Sequence, residues 1–307
     1  MKRKATMMGV LGAAVLTAGL LPETAMAESG VAAAAPCGIY VGSVSAGGDH
    51  QSQHVSMVSP PTTSPINAWG PGLYPAGQTR LSASMFLNTT TTVPPTVSGH
   101  LVIGDALYRS RYVRPAPAGP EEVQLDRIGG GWGGFVAVDE SRYQPVLGGA
   151  TRTTTYGLRS DGVLFRWSVD SAGVWRNKAS APGFASVKSM ALISKTATYE
   201  TFLANTRGGA LYTIHIPMSA PMKPVVKAVR GATWQGFEHL IATKCGSQGT
   251  LLIGIDKDTH SAYAYAVGHA QGTSTVIQSV GKLPDTLDQP IYFRWTLYPY
   301  YDQLLGE

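Results

Sequence analysis

The sequence predicts an all-β protein built from repeats, and three observations carry that expectation. After the first 27 residues no stretch keeps a helical apolar period for three turns; short runs of β-branched and aromatic residues alternate with Gly, Ser, Asp and Pro. A turn followed by an alternating aromatic strand then recurs in DALYRSRYV (105–113), DGVLFRWSV (161–169), GGALYTIHI (208–216) and HSAYAYAV (260–267), with Leu107, Leu164, Leu211 and Ala262 in equivalent places at steps of 57, 47 and 51. Finally, a Gly-Phe pair opens another apolar stretch in GGFVAV, PGFASVKSMALI and QGFEHLIAT, placing Gly134, Gly183 and Gly236 at steps of 49 and 53.

Each element follows from these runs. TTYGLRS, ETFLANT and TLLIGID supply a strand before the last three aromatic ones, so a unit of about 50 residues holds three or four short strands. One such sheet cannot bury both faces. Arranged radially, each sheet covers its neighbour, which is the logic of a β-propeller, and Phe135, Phe184 and Phe237 fall at matching points as its repeated core. The length permits five blades. A ring must also be closed, and CGIYVGSV (37–44) is the N-terminal strand that can pair with the final blade.

The first 27 residues read as a signal peptide: Lys2, Arg3 and Lys4, then an apolar run from Met7 to Leu21, then Ala25-Met26-Ala27. That run is too short to span a bilayer, so no membrane insertion is expected. Residues 28–97 form an N-terminal strand followed by a loop-rich segment, with SPPTTSP and NTTTTVPP, read as an irregular first blade or a linker. Residues 98–307 carry the repeats. The chain is expected to be secreted, and in an oxidising compartment its two cysteines, Cys37 and Cys245, are expected to pair. Closing a loop of 208 residues is worth roughly 5 kcal/mol in the chain-entropy picture.

Charge excludes several functions. Removing three cations and one anion with the leader lowers the net charge from +5 to +3, and no Lys/Arg run remains, so nucleic acid is not an expected partner. The 19 acidic residues lie mostly at turns, as do Asp161, Asp256 and Asp258, which does not suggest the converging carboxylates of a glycosidase. SVDSAGVW (168–175) is a near miss of the sialidase Asp-box and is read as a turn former. His50 and His54 lie four apart in sequence with no helix to align them, and neither a metal site nor a cofactor is expected. No serine lies in a hydrolase motif. Arg109 and Arg111 share one face of their strand; they are read as part of a solvated outer strand, with an anion or sugar-phosphate contact as the alternative.

RIGGGWGGF (127–135), followed one strand later by SDGVLFRW (160–167), resembles the repeat of tachylectin-type five-bladed propellers. The match is close over residues 126–167 and partial to about residue 270. Ala181 replaces the tryptophan in the second unit (SAPGF), and Trp234 restores it in the third (ATWQGF). The resemblance implies a non-enzymatic lectin for N-acetylated sugars or cell-surface glycans, with a pocket between successive blades. On that reading Trp132 and Trp234 stack on sugar, while Gly133, Gly134 and Gln235 contribute to ligand binding; the glycines also have a structural reading, as a tight turn between blades. The alternative function is a protein-binding propeller, an adaptor in a secreted assembly, favoured by the irregular start and the aromatic segment IYFRWTLYPYYD (291–302).

Overall fold

A computed structural model describes residues 37–89, 94–114, 123–297 and 299–307. The expected signal peptide therefore lies outside the described residues. Strands β1 (Gly38–Val44) and β2 (His50–Ser56) form an antiparallel pair, with the short β3 (Thr62–Thr63) and β4 (Asn67–Gly70) on the far edge of β2. β5 (Thr79–Ser82) and β6 (Met85–Asn88) lie on β7 (Thr96–Ile103), which continues into β8 (Ala106–Val113) and β9 (Gln124–Gly130).

Three four-stranded antiparallel meanders follow. They are β10 (Phe135–Tyr143), β11 (Arg152–Arg159), β12 (Leu164–Val169) and β13 (Trp175–Ala181); then β14 (Val187–Lys195), β15 (Tyr199–Thr206), β16 (Leu211–Pro217) and β17 (Val225–Arg230); then β18 (His239–Cys245), β19 (Gly249–Asp256), β20 (Ser261–Val267) and β21 (Ile277–Lys282). The last strand, β22 (Ile291–Leu297), returns to the beginning. It pairs antiparallel with β1, Tyr40 opposite Trp295, and parallel with β6, Trp295 opposite Met85. The two N-terminal groups of strands thereby become one ten-stranded sheet.

The sheets radiate from an axis. Arg80 of β5, Val138 of β10, Met190 of β14, Leu240 of β18 and Phe293 of β22 all line one central cavity of about 80 Å³. Between neighbouring sheets the facing residues interlock. Tyr156, Leu158 and Leu164 meet Met190, Leu192 and Phe202 in one core; Leu203 and Leu211 meet Leu240 and Leu252 in the next; Ile241 and Ile253 meet Ile39, Val41 and Val55 in a third. This is a β-propeller, and each core is shared because no single sheet can dry both its faces. Phe135, Phe184 and Phe237 are all buried at such seams.

The boundary between residues 97 and 98 falls inside β7, and residues before it share a sheet with those after it. The expected closure through the N-terminal strand is present: β1 pairs with the C-terminal β22, which completes a sheet whose other members are N-terminal. The Cys37–Cys245 disulfide is present, with Cα atoms 5.4 Å apart, and ties the start of β1 to the end of β18 in the adjacent sheet.

Candidate functional site

The Gly-Trp segment is a splice between sheets. The main-chain N–H groups of Gly131 and Gly133 donate to the carboxylate of Asp105, and Trp132 N–H donates to the Asp105 carbonyl at 3.0 Å. Arg80 donates to the Gly133 carbonyl at 3.0 Å. The indole of Trp132 is 6% exposed and stacks on Phe135 with ring centres 4.2 Å apart, with Trp167 at 5.6 Å. Trp234 repeats the arrangement: it is 5% exposed, packs on Tyr265 at 4.9 Å and Phe237 at 5.6 Å, and donates its main-chain N–H to the Gly209 carbonyl.

The expectation that these two indoles offer open stacking faces is therefore corrected. Aromatic neighbours take the rings, and Asp105 takes the two glycine amides of the first unit. Gly133, Gly134 and Gln235 remain exposed on this rim, although the Gln235 carbonyl already accepts from Lys188. The structure does not gather Trp132, Gly133, Gly134, Trp234 and Gln235 into one pocket; they belong to two separate seams.

A different cleft, of about 570 Å³, opens between the β6–β9 strands and the β10–β13 sheet. Its wall on one side carries Phe86, Ser98, His100, Arg109, Arg111, Gln124 and Asp126; the facing wall carries Glu140, Arg142 and the 170–173 turn. Alternation on β7 and β8 aims Ser98 and Arg111, which are register partners, at the same space. β9 lies outside β8, so Arg109 and Arg111 are on the third strand from the axis and not on an outer one. The strand is thus not the outermost, although Arg111 itself is exposed.

The charges inside are mostly paired. Arg109 donates from Nε and Nη2 to Asp126 at 3.1 and 2.7 Å, and Gln124 donates to the same carboxylate at 3.1 Å. Glu140, fully buried, is hydrogen-bonded to His100 Nδ1 and to Arg142 Nε. Arg142 also donates to Ser98 Oγ at 3.0 Å and lies over the Phe86 ring at 4.0 Å. Asp170 accepts from the N–H groups of Ala172 and Val174, so the Asp-box-like stretch does form a turn.

These pairings fix protonation. Burial alone would raise the Glu140 carboxyl, but Arg142 and His100 outweigh it and hold it at about 2. Arg109, then Gln124, hold Asp126 below the usual carboxylate range. The Val174 N–H and Arg176 do the same for Asp170. All three carboxylates therefore accept hydrogen bonds near neutral pH, and none is poised to donate a proton.

Two further clefts lie between other strands. One, of about 540 Å³, is lined by Tyr40, Ser52, His54, Asn67 and Trp69, with Tyr40 46% exposed. The other, of about 380 Å³, is lined by Tyr199, His215, Lys227, His269, Gln271 and Glu307. Among the described residues no group of three or more His, Cys, Asp or Glu could hold a metal ion. No helix there is long and apolar enough to cross a membrane.

Sequence reasoning passed over His100, Gln124, Asp126, Glu140 and Arg142. The usable signal was the register: charged residues at alternate positions of β8 and β9 are side by side once the hairpin is drawn.

No protein-family model matches the chain, and no curated protein matches it. Among solved structures it is similar to a mutant of the Aleuria aurantia lectin in complex with Fucα1-6GlcNAc, at 13% identity over 82% of this chain and 80% of that one, with a TM-score of 0.49. It is also similar to the BP39L lectin from Burkholderia pseudomallei, at 14% identity over 79% and 69% of the two chains, TM-score 0.43. A Synechocystis apocarotenoid oxygenase shares 11% identity over 80% and 66%, TM-score 0.35. At such distances no residue here inherits a role from these proteins.

Proposed function

We propose that this chain is a secreted, non-enzymatic propeller of five blades that binds carbohydrate in the cleft between the β6–β9 strands and the β10–β13 sheet. The observation that carries the reading is the geometry of that cleft: a roomy polar cavity in which Arg109 and Arg142 are held by Asp126 and Glu140, while Arg111 stays exposed. A pre-oriented set of donors and acceptors suits sugar hydroxyls. Glycoside hydrolysis needs a carboxylic acid that still carries its proton at working pH, and the pKa directions of Asp126, Glu140 and Asp170 argue against that use. The disulfide and the basic-then-apolar leader support secretion. N-acetylated sugars and cell-surface glycans, expected from the repeat, are the ligands to try first.

The test is a glycan array with the chain lacking residues 1–27, run beside Arg109→Ala/Gln124→Ala, which strips one wall of the cleft. Binding to a defined set of glycans that the double variant loses supports the reading. A blank array, with a protein recovered from culture supernatant instead, replaces it with the adaptor function; the exposed Val225 and Val226 pair on β17 is where such a partner would be sought first.

A further inference from the structure

We infer that this same cleft selects a carboxylate-bearing sugar unit, of the uronic-acid class, and that Arg111 is the residue that meets the carboxylate. The inference deepens the glycan reading and rests on it. Its basis is that the chain repeats itself and fills one copy of the position with its own acid.

Leu107 and Leu211 are equivalent in the repeat, so four residues further on Arg111 corresponds to His215. The register partners correspond as well: Ser98 lies opposite Arg111, and Thr201 lies opposite His215. A nitrogen-bearing side chain and a hydroxyl on adjacent strands thus face the groove at both places. In the second, the side-chain carboxylate of Glu307 sits between them, bonded to His215 Nδ1 at 2.7 Å and accepting from Thr201 Oγ1. Tyr199 packs on the His215 ring at 4.4 Å and donates to the Glu307 carbonyl at 2.8 Å. The segment is led there by main-chain bonds, Lys195 N–H to Leu304, Gly306 N–H to Ile193 and Ala270 N–H to Gly306. The molecule itself demonstrates the ligand chemistry of this corner of the repeat.

In the first cleft that corner is open. Asp126 is engaged by Arg109 and Gln124, Glu140 by His100 and Arg142, and Asp170 by Arg176 at 2.7 Å. Arg111 is exposed and has no hydrogen bond or ion pair among the described residues. It is the surplus cation of the cavity. Ser98 accepts from Arg142, which leaves its own O–H to donate, as Thr201 does to Glu307. Arginine adds what histidine lacks, a permanent charge and a planar fork matched to both oxygens of a carboxylate.

The experiment is affinity electrophoresis of the same secreted form through gels holding polygalacturonate, its methyl ester, chitooligosaccharide or poly-glutamate, at about 0.15 M salt so that loose charge attraction is screened. Retardation by polygalacturonate is expected to weaken about tenfold on methyl esterification and in Arg111→Gln, with Arg111→Lys intermediate. Because Arg111 is exposed, near-UV circular dichroism of the variants should match the parent. Retention of neutral sugars with no preference for the acid, or full retention by Arg111→Gln, overturns the inference while the glycan reading stands. Retention by poly-glutamate alone overturns it in favour of an acidic peptide. No retention by any polysaccharide removes both.

Discussion

The guanidinium of Arg294 donates to both oxygens of Asp302, at 2.6 and 3.0 Å, where both residues are buried. Lys195, which burial pulls below the usual lysine range, reaches the same carboxylate at 2.6 Å. Burial alone would raise the Asp302 acid; Arg294 first and Lys195 second outweigh it and hold it well below the usual range. This cluster fastens the 299–307 segment to β22 and β14. Asp302→Asn leaves two cations facing each other without their anion and should cost about 3–5 kcal/mol in urea unfolding at pH 7. The sign in pH follows from a depressed acid. The contribution is complete above the unfolded value, about 3.9, and is lost as pH falls below it, so the variant's stability should change less than the parent's on acidification below about pH 4.

His50 sits among Tyr74, Tyr112, Phe293 and Trp295, with Tyr112 Oη at 2.7 Å from its Nδ1. Burial holds its pKa down at about 3. Between about pH 6.5 and 3 the unfolded chain takes up a proton that the folded one refuses, so stability declines as pH falls through that window, by at most about 1.4 kcal/mol per unit. His239, lowered to about 4 by burial and by Lys257, adds to the same slope. His50→Asn, which keeps an acceptor for Tyr112, should flatten the decline between pH 6.5 and 5 in denaturant titrations. An unchanged slope would show that His50 titrates normally.

Trp132 is a wedge. Trp132→Ala is expected to destabilise the chain by about 3–5 kcal/mol, the range for removing a large buried aromatic. Below its lowered melting temperature the variant should still be retained by whatever glycan the parent binds. Arg111→Gln should show the reverse, unchanged melting with weakened retention. The pair of variants separates the buried wedge from the cleft.

Gly131 and Thr233 precede the two tryptophans and both have φ of +80°. Glycine takes that backbone freely, whereas a β-branched residue is strained by about 1–3 kcal/mol. Thr233→Gly gives back part of this in chain entropy, so a gain of up to about 1 kcal/mol in thermal or urea unfolding is expected. A loss would mean that the threonine side chain supports the turn in some other way.

How much of this was legible follows from which signals survive in one dimension. From β10 onward, alternation on the strands and a turn residue at each hairpin announce the repeat, and the recurring Phe135, Phe184 and Phe237 mark its seams. β2 escaped because HQSQHVS looks like loop; its buried Ser52 and Gln53 are satisfied by Trp69, Ser64 and Asp285, so burial there leaves no apolar pattern. The Gly-Trp stretch was conspicuous for a structural reason, since a close splice needs glycine and a wedge needs an indole. An anion contact at Arg111 was legible only as the alternative to a solvated strand, because its setting depends on β9 lying outside it and on a facing sheet reached through a loop.

The position of β22 carries a further consequence for how the ring comes into being. Until residues 291–297 arrive, β1 and β6 each present a row of unsatisfied main-chain groups, and the partner of both is the last strand among the described residues. Chain emerging from a ribosome is thus obliged to wait, half-built and prone to pairing with its neighbours, for β22. Premature termination would release a molecule with two adhesive borders in place of a finished circle.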